Sequence, residues 1–513
     1  MPLLNGARDK LEESSLIVKL MGPPGSDRMN IFMGMLPMAY GVFLRCFQYL
    51  SNYSLHLDEC SLAINLFQRN FRTLNQVLTY NQAAPLGFLY GEKALMLSVG
   101  SSPLVMRSIP FLCSLLAIVA FYRLARTFFS GLPLLLATAL FCANQSLIFY
   151  SATLKQYSVE VLVTIVLFLL LLPLFEERPP HPSYWVAGIS SILIWFSFSA
   201  IFVLAGIGVV LTLYEFRRKL RGMSRLALVL VIWIATFLPF FWYSIRPGAS
   251  NQVLAGQWTA EYLPLNPIAF VGWMRHHLAE VSAMATTWRI WPIAGILLVA
   301  GVCHVMRTRN WKYLALLAPV IACLTASALR KYPFSGRLVL FLMPTTILFI
   351  TAGYKQLVSV GRVRILAHSV TMLLMLWCCL SAGKTVLIQR SHLDSPREVM
   401  GYVRDHWQAG DRIYVNQIAE MSFLFYNWDQ KIPPSEYTLH YAGDAVLPGR
   451  VWFFYFRTPW LVHGEYEPAL TYLRQHGTEI AQFNAELHSA ILFSVEAKNV
   501  PSHPALEQHN QSR

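Results

Sequence analysis

An acidic pair, Asp58-Glu59, stands a few residues beyond the first apolar run of the chain, about 31–50. Two adjacent carboxylates beside a membrane segment lose hydration unless something uses them, and ionisable groups at such positions mark substrate paths or reaction centres. Three more polar clusters interrupt the apolar sequence: Tyr80-Asn81-Gln82-Ala83-Ala84-Pro85, Lys155-Gln156-Tyr157, and the stretch from Arg330 through Lys331, Tyr332 and Ser335 to Arg337. Carboxylates and cations gathered at one interface suit removal of a proton from an acceptor combined with neutralisation of a phosphate leaving group. Asp58 is the candidate general base. Glu59 admits two readings of equal weight: it positions an acceptor or a divalent metal, or it caps the helix that follows. Lys155 and Arg337 are candidate phosphate ligands, Arg as a planar fork and Lys as a point charge. Tyr157 and Tyr332 are candidate hydrogen-bond donors to the same group, with Lys331 beside them. Against these roles stand snorkelling of the cations to headgroups and the general abundance of tyrosine at membrane interfaces.

The elements that must position these groups are membrane helices. The chain is 55% hydrophobic and 13% charged over 513 residues, so most of it has lipid as solvent. Runs long enough to cross ~30 Å of hydrocarbon lie near 31–50, 103–122, 132–150, 158–175, 226–243, 291–306, 313–329, 338–354 and 365–383. The stretch 184–215 is too long for one upright helix and breaks at Ser197-Phe198-Ser199, which suggests a hairpin of two short spans and about eleven crossings in all. Arg8, Lys10, Lys19 and Arg28 precede the first span. Arg123 and Arg126, then Arg217-Arg218-Lys219 with Arg221 and Arg225, then Arg307, Arg309 and Lys312, then Lys355, Arg362 and Arg364 mark every second loop. This alternation places the N-terminus in the cytoplasm and the four polar clusters on the opposite side. The formal charge of +14 is then mainly a topology signal, and nucleic acid is excluded as a partner.

No cleavable leader is apparent, so the first span is expected to remain as an anchor. Seven of the eight cysteines lie in or beside apolar runs, where they act as small hydrophobes, and Cys60 alone reaches the outer loop. No metal site is expected at His276-His277, since neighbours on a helix point to different faces. Arg107, in the outer part of the second span, could pair with Glu92 or Asp58 or snorkel outward. The sequons at Asn52 and Asn144 read as chance patterns. No phosphate-binding glycine pattern of the Walker or Rossmann type occurs.

Three segments complete the organisation: a cytoplasmic N-terminal segment 1–30, a membrane domain 31–383 with long outer loops at 51–102 and 244–290, and a soluble domain 384–513. The first outer loop has apolar residues Leu62, Leu66, Leu74 and Leu78 at helical spacing, which predicts one or two surface helices. The second carries Trp258, Tyr262, Trp273 and Trp288, side chains suited to headgroup depth. The soluble domain reads as a small α/β layer. Its expected elements are a helix over 396–408 capped by Ser395 and Glu398, strands at 412–415, 451–456 and 490–495, and a helix over 468–475 ended by Gly477. Residues beyond Pro501 are polar.

Leu57-Asp58-Glu59, Asn81-Gln82-Ala83-Ala84-Pro85-Leu86, Tyr150-Ser151-Ala152 leading to Lys155-Gln156-Tyr157, and Tyr332-Pro333-Phe334 leading to Arg337 and Pro344 carry a family likeness. Over roughly 30–385 the chain resembles the membrane glycosyltransferases that use lipid-phosphate sugars: the protein mannosyltransferase and aminoarabinose transferase group and bacterial family 39 enzymes. The resemblance implies a GT-C fold: a polytopic α-helical membrane protein with a small C-terminal extracytoplasmic α/β domain. It implies catalysis at the Asp58 position and puts Gln82 with the phosphate-binding candidates. It further implies a polyprenyl-phosphate sugar donor and a glycan, lipid or protein acceptor at the outer face of the plasma membrane. No nucleotide is then required, and the only cofactor in view is the divalent metal allowed at Asp58 and Glu59. Two other classes stay open, a lipid or sugar transporter and a non-catalytic envelope-polysaccharide assembly protein. A transporter predicts ionisable residues near mid-span, and a scaffold predicts tolerance of Asn at position 58.

Overall fold

The computed structural model describes residues 27–496 apart from 177–182, 220–221, 250–255, 257, 361–363, 390–394, 442, 444–445 and 458–465. Arg8, Lys10, Lys19, Arg221, Arg362 and the polar tail beyond 496 lie outside the described residues. The chain divides into two compact units, Met1–Ser51 with Phe71–Arg390 and Asn52–Asn70 with Ser391–Arg513.

The first unit is a bundle of apolar helices, because lipid offers no partner to a backbone amide and a helix satisfies its own. Among the described residues, eight helices are long and apolar enough to cross a membrane, and a ninth span results if Leu132–Cys142 and Gln145–Ser151, bent by 46°, count as one. The other two expected spans fall on Asp27–Leu50, a 24-residue helix, and on Ser183–Ile194, whose 12 residues are short for a crossing. The break expected at Ser197-Phe198-Ser199 is present: Ser183–Ile194 ends before it and Ala200–Arg217 begins after it.

Small residues set how closely the helices approach. Helices Trp291–Thr308 and Met343–Ser359 meet at Gly301 and Gly353, where an added Cβ would fall on the carbonyls of Phe349 and Leu297 respectively. Gly206 lies against the backbone of Ala318 in the same way, 2.6 Å from a built Cβ. Backbone contact through small residues is how helices pack where lipid removes the hydrophobic drive between them. Arg45, fully buried in Asp27–Leu50, donates to Ser114 Oγ at 2.7 Å and to the Cys142 carbonyl at 3.0 Å, so its charge ties three helices together.

The first outer loop departs from its expected form. Leu57–Gln68 and Leu86–Val99 are helices, but Leu74 lies in a turn and Leu78 in irregular backbone, both with buried side chains. Their helical spacing reflects burial on one side of an irregular segment. In the second outer loop Pro267–Ala285 is helical, with Trp273 buried against His277 and Phe334 and Trp288 exposed.

The second unit contains a five-stranded sheet, β1 (Arg412–Val415), β2 (Tyr437–Thr438), β3 (Gly449–Phe456), β4 (Gly477–Asn484) and β5 (His488–Val495), in the order β2-β1-β3-β5-β4. β1 pairs parallel with β2 and β3, while β5 pairs antiparallel with β3 and β4. Alternation along β3 feeds two cores: Trp452, Phe454 and Phe456 meet Val399 and Val403 of helix Pro396–Asp405, and Val451, Phe453 and Tyr455 meet Leu470 and Leu473 of helix Glu467–His476. A run apolar at every position fits a strand covered on both faces. One expectation is corrected here: Ser395 precedes its helix without a side-chain cap, whereas Gly477 ends helix Glu467–His476 as expected and opens β4. Strand β4 shows an exposed alternating face of polar residues, too weakly apolar to read as a strand.

Segment 52–70 belongs to the second unit and not to the membrane domain in which 31–383 had placed it. The Leu55 amide donates to Tyr426 Oη at 2.7 Å, Arg397 donates to the Asn52 carbonyl at 2.9 Å, and Phe67 stacks on Trp428 with centroids 4.5 Å apart.

Replacing Gly301 with Val should cost more than the ~1–3 kcal/mol of ordinary overpacking, because the obstacle is a carbonyl that cannot rotate away. Gly272→Ala, where a Cβ meets nothing within 4 Å, should be neutral or raise stability by up to about 1 kcal/mol. Melting temperatures of the detergent-solubilised variants test both, and equal values would refute the close-packing account.

Candidate active site

The acidic pair opens helix Leu57–Gln68, and its two members have different surroundings. Glu59 is fully buried and its carboxylate accepts the His56 amide at 3.2 Å, while His56 Nδ1 accepts the Asp58 amide at 3.2 Å. These reciprocal bonds are a capping box that satisfies two donors at the helix start. Of the two readings of Glu59, the geometry favours the cap. Asp58 is part-exposed, and Glu59 beside it is buried. Glu59 is engaged in the cap, which takes it away from the metal-holding reading.

In the first unit, cations gather at the start of helix Tyr157–Leu171. Thr153, Leu154 and Lys155 are buried, and the Lys155 ammonium donates to the Gln82 side-chain carbonyl. Gln82 is delivered by a strained turn in which Tyr80 and Asn81 both take left-handed backbone angles, φ 58° and 53°. The Gln82 amide nitrogen donates to the Tyr80 carbonyl at 3.0 Å, which orients its oxygen. Tyr157 begins the helix, and the Arg337 guanidinium sits 6.0 Å from its ring centroid; Tyr150 meets the same ring edge-on at 4.9 Å. Gln156 gives the helix no side-chain cap, so its first amides add partial positive charge to the two cations. Lys155, Gln82, Tyr157 and Arg337 are therefore brought to one helix end.

Tyr332 and Lys331 are placed differently. Burial holds the Tyr332 phenol well above its ordinary pKa, with Glu160 adding to the effect, and the protonated hydroxyl donates to the Leu338 carbonyl at 2.9 Å. Its single proton is thus engaged in shaping the segment that carries Arg337. Lys331 is exposed.

Two acids escaped the sequence reading. Glu160, one turn into the helix and buried, accepts the Phe198 amide at 3.1 Å and so closes the break at 195–199. An acid inside an otherwise apolar fifteen-residue helix was the available signal. Glu280 holds the loop before Arg337: its Oε1 accepts the Gly336 amide at 2.8 Å and Ser335 Oγ at 3.1 Å, and its Oε2 lies 2.9 Å from His277 Nδ1. Burial raises the Glu280 pKa, but the bonds from His277, Gly336 and Ser335 outweigh it and keep the carboxyl below its ordinary value. The expectation that His276 and His277 diverge is corrected here. Ligand atoms of His276, His277 and Glu280 all lie within 4.8 Å of one another, because Glu280 is four residues from one histidine and three from the other and bridges both faces.

No family model matches the chain, and no curated protein matches it. Among solved structures it is similar to ArnT from Cupriavidus metallidurans in the apo state, with 12% identity and a TM-score of 0.51 over 88% of this chain and 97% of that one. It is similar to the same protein bound to undecaprenyl phosphate, again at 12% identity and 0.51, over 91% and 99%. An oligosaccharyltransferase from Archaeoglobus fulgidus, in complex with zinc and sulfate, gives 11% and 0.48 over 76% and 61%. At this identity the likeness is one of fold, and it covers nearly the whole length of ArnT: the chain is a polytopic membrane protein with the GT-C fold.

Proposed function

We propose that this protein is a membrane glycosyltransferase that moves a sugar from a polyprenyl-phosphate carrier to a hydroxyl of an envelope glycan, lipid or protein acceptor. The observation that carries the reading is the cationic helix end, where buried Lys155 on Gln82 and Arg337 on Tyr157 meet the uncapped start of Tyr157–Leu171. Cations and aligned amides in a water-poor setting stabilise a phosphate dianion far better than water does. Support comes also from the fold, since ArnT was solved bound to undecaprenyl phosphate. In this reading the acceptor oxygen bonds to the anomeric carbon, the bond from that carbon to the phosphate oxygen breaks, and Asp58 takes the acceptor proton. Lys155 and Arg337 balance the charge left on the lipid phosphate. The donor is already activated, so no nucleotide enters.

Orientation belongs to the same proposal. The N-terminus and the Arg217-Arg218-Lys219 cluster lie in the cytoplasm, and Asp58, Lys155, Arg337 and the C-terminal domain lie outside the plasma membrane, by the alternation of basic loops. Reporter fusions after Lys219 and after Ser391 should report opposite sides, and one side for both would remove the reading.

Lys155→Gln and Arg337→Gln should each weaken binding of a polyprenyl-phosphate sugar by the ~1.5–3 kcal/mol of hydrogen bonds to charged groups. Arg337→Lys should keep part of the activity, since Lys lacks the fork. Normal donor binding with both positions neutral would exclude the phosphate role.

Asp58→Asn preserves size and shape while removing basicity, so donor binding should survive and transfer should fall by roughly 10²- to 10⁴-fold. Glu59→Gln, acting through the cap, should cost about 0.5–2 kcal/mol of stability with catalysis largely retained. A transfer assay with native envelope extract as acceptor distinguishes them: near-normal transfer by Asp58→Asn sinks the mechanism, and loss in Glu59→Gln alone moves the base to Glu59.

A further inference from the structure

We propose a binding site for one divalent transition metal of the zinc type on helix Pro267–Ala285, formed by His276, His277 and Glu280. It is separate from the acidic pair and from the cationic helix end, and it does not depend on the transfer reaction.

The ligand set is the mixed imidazole and carboxylate set that zinc accepts. With metal–ligand bonds of about 2.0–2.2 Å, neighbouring ligands of a tetrahedral ion are about 3.3 Å apart. The three side chains bracket that value: His277 Nδ1 and Glu280 Oε2 are 2.9 Å apart and the whole set lies within 4.8 Å. The two rings stand edge to face at 5.1 Å and 82°, which lets adjacent residues of one helix turn a nitrogen each toward Glu280.

The surroundings have the second layer of contacts that metal sites use to fix their ligands. His277 is buried, and its other nitrogen, Nε2, lies 3.7 Å from Glu261 Oε2, a carboxylate whose charge favours a proton on Nε2 and leaves Nδ1 to a metal. Trp273 and Phe334 pack against the His277 ring, with centroids 4.1 and 6.0 Å away. Glu280 is oriented through its other oxygen by Ser335 and the Gly336 amide. His276 is exposed, so an ion can enter from its side and keep a water in a fourth position. Three protein ligands with one open position describe such a site. A metal there fastens the helix to the loop Ser335-Gly336, immediately before Arg337.

The test uses the full-length, untagged protein in lipid nanodiscs, stripped with a chelator and titrated with Co²⁺ and then Zn²⁺. Expected are one saturable equivalent of Co²⁺ with visible absorption of a four-coordinate ion, displacement by Zn²⁺, and a Zn²⁺-dependent rise in melting temperature. His276→Ala removes an exposed ligand, so the variant should fold, melt like wild type without metal, and lose both the band and the Zn²⁺ shift. Glu261→Gln should weaken Co²⁺ affinity by about 10- to 100-fold, the usual loss when a ligand's outer partner is removed. Absence of a saturable equivalent in wild type, or binding unchanged in His276→Ala, overturns the site and leaves only a histidine–glutamate hydrogen bond. Glu280→Gln is not decisive, since the same carboxylate holds the 335–336 loop.

Discussion

Backbone that leaves the helix inside an apolar bundle must find new partners, and this constraint organises the membrane unit. Among the described residues, several breaks are closed by specific polar contacts. Glu160 takes the Phe198 amide, the Trp195 carbonyl accepts the Gly87 amide at 2.8 Å, and Ser197 Oγ accepts the Ala200 amide at 3.1 Å. Asn144 caps the helix after it and donates to the Met284 carbonyl at 2.8 Å. Ser244 and Ser327 take the amides of Leu86 and Leu263, and Glu280 takes that of Gly336. Side chains retained for these duties are polar groups in a place where lipid would otherwise select against them.

The same breaks create the chemistry. A helix that starts inside the bundle, as Tyr157–Leu171 does after the turn at 152–156, points its first amides toward that end without a side-chain cap. Adding Lys155 and Arg337 at that end concentrates positive charge that an anion can share. Glu160, in the first turn, is committed to the Phe198 amide. Gln82 orients the Lys155 ammonium without neutralising it, which is what a neutral amide supplies and a carboxylate would not.

The acidic pair shows how two neighbouring carboxylates acquire different duties from backbone geometry alone. A helix places its third residue back toward the cap, so Glu59 is drawn into the box with His56 and buried, while Asp58 stays part-exposed. The capping bonds stabilise the start of Leu57–Gln68, and the helix in turn is held in the second unit through Leu55 on Tyr426 and Phe67 on Trp428. Asp58 is thus displayed by a rigid element, a better basis for positioning a reactive group than a free loop.

Apolar run length and the spacing of basic loops determined the membrane class and the main helices, because burial in lipid demands composition before it demands any contact. Period-two and period-3.6 patterns likewise marked β1, β3, β5 and the helices at 396–405 and 467–476. The four clusters around Asp58, Gln82, Lys155 and Arg337 were visible as polar residues where apolar ones belong. Tertiary structure decided the rest. Strand β4 is half exposed and pairs with β5 through backbone bonds that no side-chain pattern records. The membership of 52–70 in the second unit rests on contacts over more than 300 positions of sequence, such as Leu55 with Tyr426. Adjacent histidines look divergent in a linear reading, and they converge only because Glu280 lies one turn further along the same helix and is pinned there by a loop more than fifty residues away. Local propensity acts between neighbours, whereas partner choice for a buried polar group depends on which distant segment the fold brings beside it.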